Sequence, residues 1–275
     1  MISFKAEWRK LSRRPAVWWL GAFIVGIVAL LYVFSWIEYN SPTFHSDSGV
    51  PVALLKANLY PAHFAALIAG GIPFIGGALM LVMGALVAGS EYGWGTFKTV
   101  YTQRPGRMQV LGGQLAALSA INGIVVVALF AVAALCSFLI AGIAGAAVAW
   151  PAGIDILKAM AATALIFEVN TLFGTAMAYL LRQSALAIGL GLAYFLAIET
   201  ILFRALSGFH IEWLTTVEKF FVGQNAGALA ASFGSRGPNP SAALVSAEQA
   251  VFVLIAYAVA FVMVATVLVR ARDVA

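Results

Sequence analysis

Charged residues are scarce in this 275-residue chain. Only 10% of its residues are Asp, Glu, Lys or Arg, whereas 63% are hydrophobic. A soluble domain usually carries about a quarter charged residues. A single aqueous core cannot hide so much apolar surface, so lipid must be the solvent for most of the chain. The shortage of charge therefore excludes a soluble globular protein.

The sequence also lacks the motifs that most often carry chemistry. Cys136 is its one cysteine, so neither an intrachain disulfide nor a cysteine metal cluster is possible. No phosphate-binding G-x-x-x-x-G-K-[ST], no zinc-binding H-E-x-x-H and no nucleophile elbow G-x-S-x-G is present. His45, His63 and His210 stand apart in predicted outer loops. We therefore expect no catalytic residue, no metal site and no cofactor bound by this chain itself.

Long apolar runs dominate what is present. A membrane-spanning helix needs roughly 20 mostly apolar residues. Six stretches qualify, at residues 16–37, 64–89, 110–141, 156–181, 184–206 and 248–269. No soluble domain and no internal repeat interrupts them. The sequence therefore predicts an all-α integral membrane protein, with residues 1–275 forming one transmembrane domain.

The positions of the basic residues predict the orientation of these spans. If the N-terminus is inside, eleven of the sixteen Lys and Arg residues fall in cytoplasmic segments and five fall outside. The positive-inside rule then places both chain termini in the cytoplasm. The net charge of +5 comes from bases that lie between apolar spans, so it does not indicate a nucleic-acid partner.

The chain begins with a segment of amphipathic character. Phe4, Trp8 and Leu11 fall on one helical face, bases such as Arg9 occupy the rest, and Pro15 ends the helix before the first span. This pattern is typical of a helix lying in the headgroup region of the cytoplasmic leaflet. We interpret it as an anchor in the bilayer, and contact with a cytoplasmic partner remains an open alternative.

The outer segment at residues 207–247 is long enough to hold structure of its own. Ile211, Leu214, Val217 and Phe221 recur there at helical spacing. We expect a short amphipathic helix that lies at the outer interface or dips into it.

The inner loop at residues 90–107 is unusually rich in aromatic residues for a connector. Trp94, Phe97 and Tyr101 share a helical face, and Glu91 is expected near the start of that helix, where a carboxylate suits the macrodipole. An aromatic belt at the interface would explain these residues. A surface that fits a groove on a soluble subunit would explain them equally well.

The segment Glu-Tyr-x-x-Gly-Thr-Phe-Lys with Arg-Pro-x-Arg after it, in this six-span layout, resembles the type-2 ABC exporter permeases. The resemblance implies a coupling helix that docks on an ABC ATP-binding subunit, which would bind ATP and Mg, with the N-terminal helix packed beside it. It implies a second copy, or a similar permease, in the plasma (inner) membrane. It also implies short re-entrant helices before the last span, which fits residues 207–247. The residues implied at the coupling contact are Glu91, Tyr92, Gly95, Thr96, Phe97, Lys98 and Arg104.

A few polar residues lie at membrane depth. Glu168 is about 12 residues into its span, roughly 18 Å along the helix and near the midplane. Thr171 and Thr175 extend a polar stripe on the same face. A carboxylate in lipid costs several kcal/mol unless it is paired or protonated, so Glu168 marks either a helix–helix contact or a pathway. Glu199, nearer the outer end of its span, is expected to reach the interface.

The second span carries small residues at regular spacing. Gly70, Gly77 and Gly84 recur every seven residues, and Pro73 permits a kink. Small residues let helices approach closely. These small residues predict either tight helix packing within one subunit, or a functional role as a dimer interface or a flexing gate.

Three functional readings follow. The first is the membrane subunit of an ATP-driven exporter, which would have no catalysis of its own. The second is an ion-coupled secondary transporter with Glu168 as the proton or cation site, against which the missing inverted repeat counts. The third is an intramembrane enzyme using Glu168 or Glu199, against which the lack of partner residues counts.

Overall fold

The computed structural model describes residues 2–45, 50–93, 106–202, 212–234 and 244–271. Within these ranges the chain is helical and forms no β-strand. The α-helices are α1 (Ile2–Ser12), α2 (Pro15–Tyr39), α3 (Val52–Ala57), α4 (Phe64–Gly93), α5 (Arg107–Ala144), α6 (Gly153–Leu181), α7 (Ser184–Ala193), α8 (Glu212–Glu218), α9 (Val222–Ala231) and α10 (Ala247–Ala271). A 3-10 turn (Pro61–His63) precedes α4, and a π-helical segment (Tyr194–Leu202) continues α7.

Five of these helices are long and apolar enough to cross a membrane, namely α2, α4, α5, α6 and α10. They match five of the six predicted spans, with ends that extend two to four residues further in several places. The predicted fifth span, 184–206, differs. Its α-helix ends at Ala193, the chain continues as a π-helix to Leu202, and residues 203–206 lie outside the described part of the chain. The protein is therefore a multi-pass membrane protein by helix length and composition.

Local sequence explains where the helices end. Pro15 opens α2, as predicted, because it has no N–H to donate to the end of α1 and its fixed φ suits a first helical position. Gly145 ends α5 in a left-handed conformation with φ 62°. Arg182 takes a similar conformation with φ 55° and forms the tight turn between α6 and α7. That turn folds α7 back along α6.

The centre of the bundle is a close contact between α4 and α6. A Cβ added to Gly84 would overlap the backbone carbonyl of Thr171, and a Cβ added to Gly174 would overlap the carbonyl of Leu81. The two backbones thus touch at reciprocal glycines. Membrane helices gain their packing energy from such close approach, because apolar side chains alone gain little by leaving lipid.

Contacts between helix ends bring several basic segments to one end of the bundle. The Ser3 hydroxyl donates to the Gln109 carbonyl at 2.6 Å, which joins α1 to the start of α5. Arg270 Nε approaches Met108 Sδ at 3.4 Å, which brings the end of α10 to the same place. Gly89 packs against Ser184, which adds the α6–α7 turn. We call this the basic end, since Arg14, Arg107, Arg182 and Arg270 lie there.

The outer segment holds two short helices where the sequence predicted one. The helix expected to run from Ile211 to Phe221 stops at Glu218, and Phe221 instead precedes the first turn of α9. The Asn225 amide explains the break, because it donates to the carbonyls of Lys219 (2.9 Å) and Phe221 (2.7 Å) and so stabilises the turn. Ile211 lies outside the described residues.

Candidate functional site

A buried carboxylate at the basic end holds two cations. Glu91 is 4% exposed. Its Oε1 atom lies 2.9 Å from Arg14 Nη2 and 2.8 Å from Lys10 Nζ. Arg14 also donates through Nη1 to the Ser90 hydroxyl at 2.8 Å. These bonds tie α1, and the turn between α1 and α2, to the last turn of α4.

A second acidic residue extends this network within α1. Glu7 Oε2 lies 2.6 Å from Lys10 Nζ, one helical turn away, and Glu7 is 7% exposed. Lys10 therefore stands between two carboxylates, with Arg14 on the far side of Glu91. Two acids and two bases balance in charge, which is what a partly buried ionic cluster requires to be tolerated.

The apolar face of α1 completes the attachment. Leu11 is fully buried in the core, Trp8 packs against the core's edge, and Phe4 stacks on Trp8 with ring centres 6.1 Å apart. Gly113 of α5 allows Ser3 to approach closely. Arg9 is exposed. The N-terminal helix thus packs on α5 through its apolar side and binds α4 through its charges.

The predicted coupling residues fall into two groups. Glu91 is not at the start of a loop helix, as its expected macrodipole role required, but in the last turn of α4, where it pairs with bases instead. Tyr92 is partly buried and meets Tyr179 of α6 edge to face, with ring centres 6.1 Å apart. The remaining predicted residues, Gly95, Thr96, Phe97, Lys98 and Arg104, lie outside the described residues.

Glu168 has two hydrogen-bond donors on α5. The Ser119 hydroxyl lies 2.5 Å from Oε1, and Asn122 Nδ2 donates to Oε2 at 2.7 Å and lies 3.3 Å from the Ala164 carbonyl. Glu168 is half-buried at the α5–α6 seam, whereas Asn122 is 3% exposed. The carboxyl group therefore sits in a small polar cluster between two spans.

Glu168, Thr171 and Thr175 were predicted to form one polar face of α6, but they contact different helices. The Thr171 hydroxyl donates to the Phe167 carbonyl, and the Thr175 hydroxyl donates to the Thr171 carbonyl, each within α6. Both threonines are 1% exposed and lie at the contact with Gly84 of α4. They are packing residues of the α4–α6 contact, while Glu168 faces α5.

The expectation that Glu199 reaches the outer interface is wrong, because its carboxylate is buried and the residue is only 6% exposed. Among the residues that the structure describes, neither oxygen has a hydrogen-bond partner of good geometry. The nearest polar groups are the Tyr194 hydroxyl and the first amides of α9, at Val222 and Gly223. The residue before α9, Phe221, has no side-chain cap to offer, so the Glu199 carboxyl group lies where it can meet the first amides of that helix.

The glycines predicted to mediate packing are buried to different extents. Gly84 and Gly77 face α6 within the same chain, against Thr171 and the Asn170 side chain respectively. Gly70 is half-buried, and Pro73 is buried inside α4, which continues unbroken from Phe64 to Gly93.

Sequence reasoning missed several partners that the fold supplies. It did not single out Ser119 or Asn122, nor the buried pair in which the Tyr179 hydroxyl donates to Gln114 Oε1 at 2.6 Å. A usable signal existed, since Gln114, Ser119 and Asn122 are polar residues within an otherwise apolar span.

Comparison with protein-family models and with curated proteins finds no match for this chain. Among the described residues, no group of three or more His, Cys, Asp or Glu side chains is placed to hold a metal ion. Within the same residues, the best-connected polar arrangement is the Glu91 cluster. It joins distant segments rather than lining an enclosed pocket.

Proposed function

We propose that this chain is the membrane-spanning permease subunit of an ATP-driven exporter of the type-2 ABC kind. The observation that supports this most is the ion-paired cluster of Lys10, Arg14 and Glu91. It joins the amphipathic N-terminal helix to the end of α4, directly before the loop whose sequence resembles a coupling helix. A force applied to that loop would therefore act on α1 and α4 together.

The proposed orientation puts the basic end in the cytoplasm of a cell with a plasma (inner) membrane. Lys5 and Arg9 on α1, and Arg13 in the turn after it, are exposed, and they would face anionic lipid headgroups. The proposal includes six spans, with α7 and its π-helical extension as the fifth. Both chain ends then lie inside.

In the proposed mechanism, ATP and Mg bind to a separate ATP-binding subunit that docks on the loop after α4. Closure of that subunit pushes the loop, and the push reaches α6 through the backbone contact at Gly84 and Gly174. Two copies, or this chain with a similar permease, enclose the pathway. The chain itself performs no catalysis, because the energy comes from its partner.

Co-purification and vesicle transport test this proposal. A tagged chain extracted in mild detergent should bring down an ATPase, and substrate export in inverted vesicles should require ATP. Failure of both results would remove the proposal. Export that a protonophore abolishes and that ATP depletion leaves intact would instead favour an ion-coupled transporter using Glu168.

Docking at the loop needs variants that spare the buried cluster. We therefore choose Lys98→Ala with Arg104→Ala, rather than Glu91→Ala, whose effect on folding would confuse the result. The double variant should insert normally but lower substrate-stimulated ATPase activity. Lys56→Ala with Lys158→Ala, which removes the same charge from segments predicted to be outside, serves as the control. Equal activity in both double variants would argue against docking at this loop.

A further inference from the structure

A half-buried carboxyl group lies near the middle of α6 with no base beside it. None of the ion pairs among the described residues includes Glu168. Its contacts there are instead two neutral side chains of α5, the Ser119 hydroxyl and the Asn122 amide. An ionised carboxylate at this depth is strongly disfavoured unless a cation lies beside it. A bound proton removes that charge.

The charged and titratable groups on the packed helices are too far away to replace a proton. On α5, the nearest are Arg107 and Cys136, 12 residues before Ser119 and 14 residues after Asn122. On α6 itself they are Lys158 and Tyr179, 10 and 11 residues away. At 1.5 Å of rise per residue, each is roughly 15–21 Å distant along its helix.

The remaining helices that pack on α6 carry their titratable groups elsewhere. On α4 they are Glu91 and Tyr92 at the basic end, and on α7 with its extension they are Tyr194 and Glu199 beside α9. On α10, Tyr257 belongs to the ring cluster with Phe261, and Glu248 and Arg270 lie in the first and last turns. None of the ion pairs among the described residues joins one of these groups to Glu168.

The hydrogen-bond network can hold Glu168 in either protonation state. Ser119 Oγ has one hydrogen but lies near two acceptors, Glu168 Oε1 at 2.5 Å and the Leu115 carbonyl at 3.1 Å. When Glu168 is ionised, the serine hydrogen is donated to Oε1. When Glu168 is protonated, its O–H donates to Ser119 Oγ and the serine hydrogen is donated to Leu115. Asn122 donates to Oε2 in both states.

We propose that Glu168 is a proton-binding site within the membrane, and that Ser119 is the positioning residue that accepts the acid hydrogen. Binding forms an O–H bond on Oε1 and turns the Ser119 hydroxyl toward Leu115. Release breaks that O–H bond, gives the proton to water and returns the serine hydrogen to the carboxylate. The ligand is the proton itself, so this site does not depend on an ATPase partner.

An apolar carbodiimide provides a direct probe, because dicyclohexylcarbodiimide enters lipid and adds to protonated carboxyl groups. The full-length protein in phospholipid vesicles would be treated at mildly acid and neutral pH and analysed by peptide mass spectrometry. We expect the label on Glu168. Glu248 offers an internal comparison, since it is exposed in the first turn of α10 and should remain unlabelled. Absence of label from Glu168 at both pH values would overturn the proposal.

Infrared spectroscopy tests the same site in variants that keep the fold. In Glu168→Gln, the amide can donate to Ser119 and accept from Asn122, so packing is preserved. The difference spectrum between wild type and this variant should contain the C=O stretch of a carboxylic acid, and only a carboxylate band there would contradict a bound proton. In Ser119→Ala that C=O stretch should move to higher frequency, and Ser119→Thr should restore it. An unmoved band would remove Ser119 from the site.

These outcomes are distinguishable from those of the exporter proposal. A chain that co-purifies with an ATPase but carries no label on Glu168 would keep the exporter and lose the proton site. A labelled Glu168 in a chain that brings down no ATPase would keep the proton site and lose the exporter.

Discussion

Arg14 Nη2 binds Glu91 Oε1 at 2.9 Å, although 77 residues separate them in sequence. The pair joins the turn between α1 and α2 to the end of α4. It also holds the end of the N-terminal helix beside the last turn of α4. A helix that sequence alone identifies as a bilayer anchor is thereby also a part of the packed bundle.

Removing the carboxylate should release α1. In Glu91→Ala, Arg14 and Lys10 lose the carboxylate that they share, and breaking a buried ion pair from one side costs about 3 kcal/mol or more. We expect a lower Tm in detergent and faster amide hydrogen exchange in α1. Arg9→Ala changes one exposed charge on the same helix and should leave both unchanged. Matching exchange in the two variants would mean that the pair does not hold α1.

Alanine substitutions along α4 should distinguish the glycines that contact another helix from those that contact nothing. Gly84→Ala places a methyl group against the Thr171 carbonyl and should lower stability by about 1–3 kcal/mol through overpacking. Gly71→Ala in the same helix meets open space, and its better helix propensity should make it neutral or slightly stabilising. Thermal unfolding of the two purified variants gives the comparison. Equal Tm values would mean that α4 and α6 are not in backbone contact.

The contact between Glu199 and α9 predicts that alanine substitution at two glycines of α9 will have different effects. A Cβ at Gly223 would overlap Glu199 Oε2, whereas a Cβ at Gly227 in the same helix would meet nothing within 4 Å. Gly223→Ala should therefore push the Glu199 carboxyl group away from the first turn of α9 and loosen that contact at a cost of about 1–3 kcal/mol, and Gly227→Ala should not. Limited proteolysis of the outer segment would report the loosening. Equal protection in both variants would place Glu199 away from this helix end.

Glu218 should make the stability of the outer helices depend on pH. Burial raises the pKa of Glu218 above its ordinary value of 4.5, and its Oε1 atom accepts a bond from Gln224 at 2.7 Å. The folded state thus binds this proton more tightly than the unfolded chain does. The stabilisation is fully present below pH 4.5 and is lost as the pH rises through the folded-state pKa.

Glu218→Gln should remove this part of the pH dependence, measured as Tm against pH upward from 4.5. Glu248→Gln, at an exposed position in the first turn of α10, is the control. A slope that persists in Glu218→Gln would assign the pH dependence to another group.

Much of the architecture could be predicted because lipid imposes a simple rule on sequence. Apolar runs that are long enough to span became α2, α4, α5, α6 and α10, and Pro15 separated the first two helices as expected. The fifth predicted span was less regular, because hydropathy does not distinguish an α-helix from the π-helix that follows Ala193. The break after Glu218 depended on one side chain, Asn225, that hydropathy also ignores.

The candidate sites could be predicted only as residues and not as contacts. Glu91 and Glu168 stood out because charge is rare near or within apolar spans. Their partners did not, since Arg14 and Lys10 lie in another segment and Ser119 and Asn122 in another span.

By itself, the sequence determined the solvent of this protein, its helical class and the approximate limits of most spans, because these depend on the length and polarity of continuous runs. Only the tertiary structure decided that Glu91 binds the N-terminal helix, that Gly84 meets Thr171 and that Glu199 is buried. The periodicity of a helix tells which way a side chain points around its own axis. It does not tell which helix lies there, because that depends on how all the spans pack together.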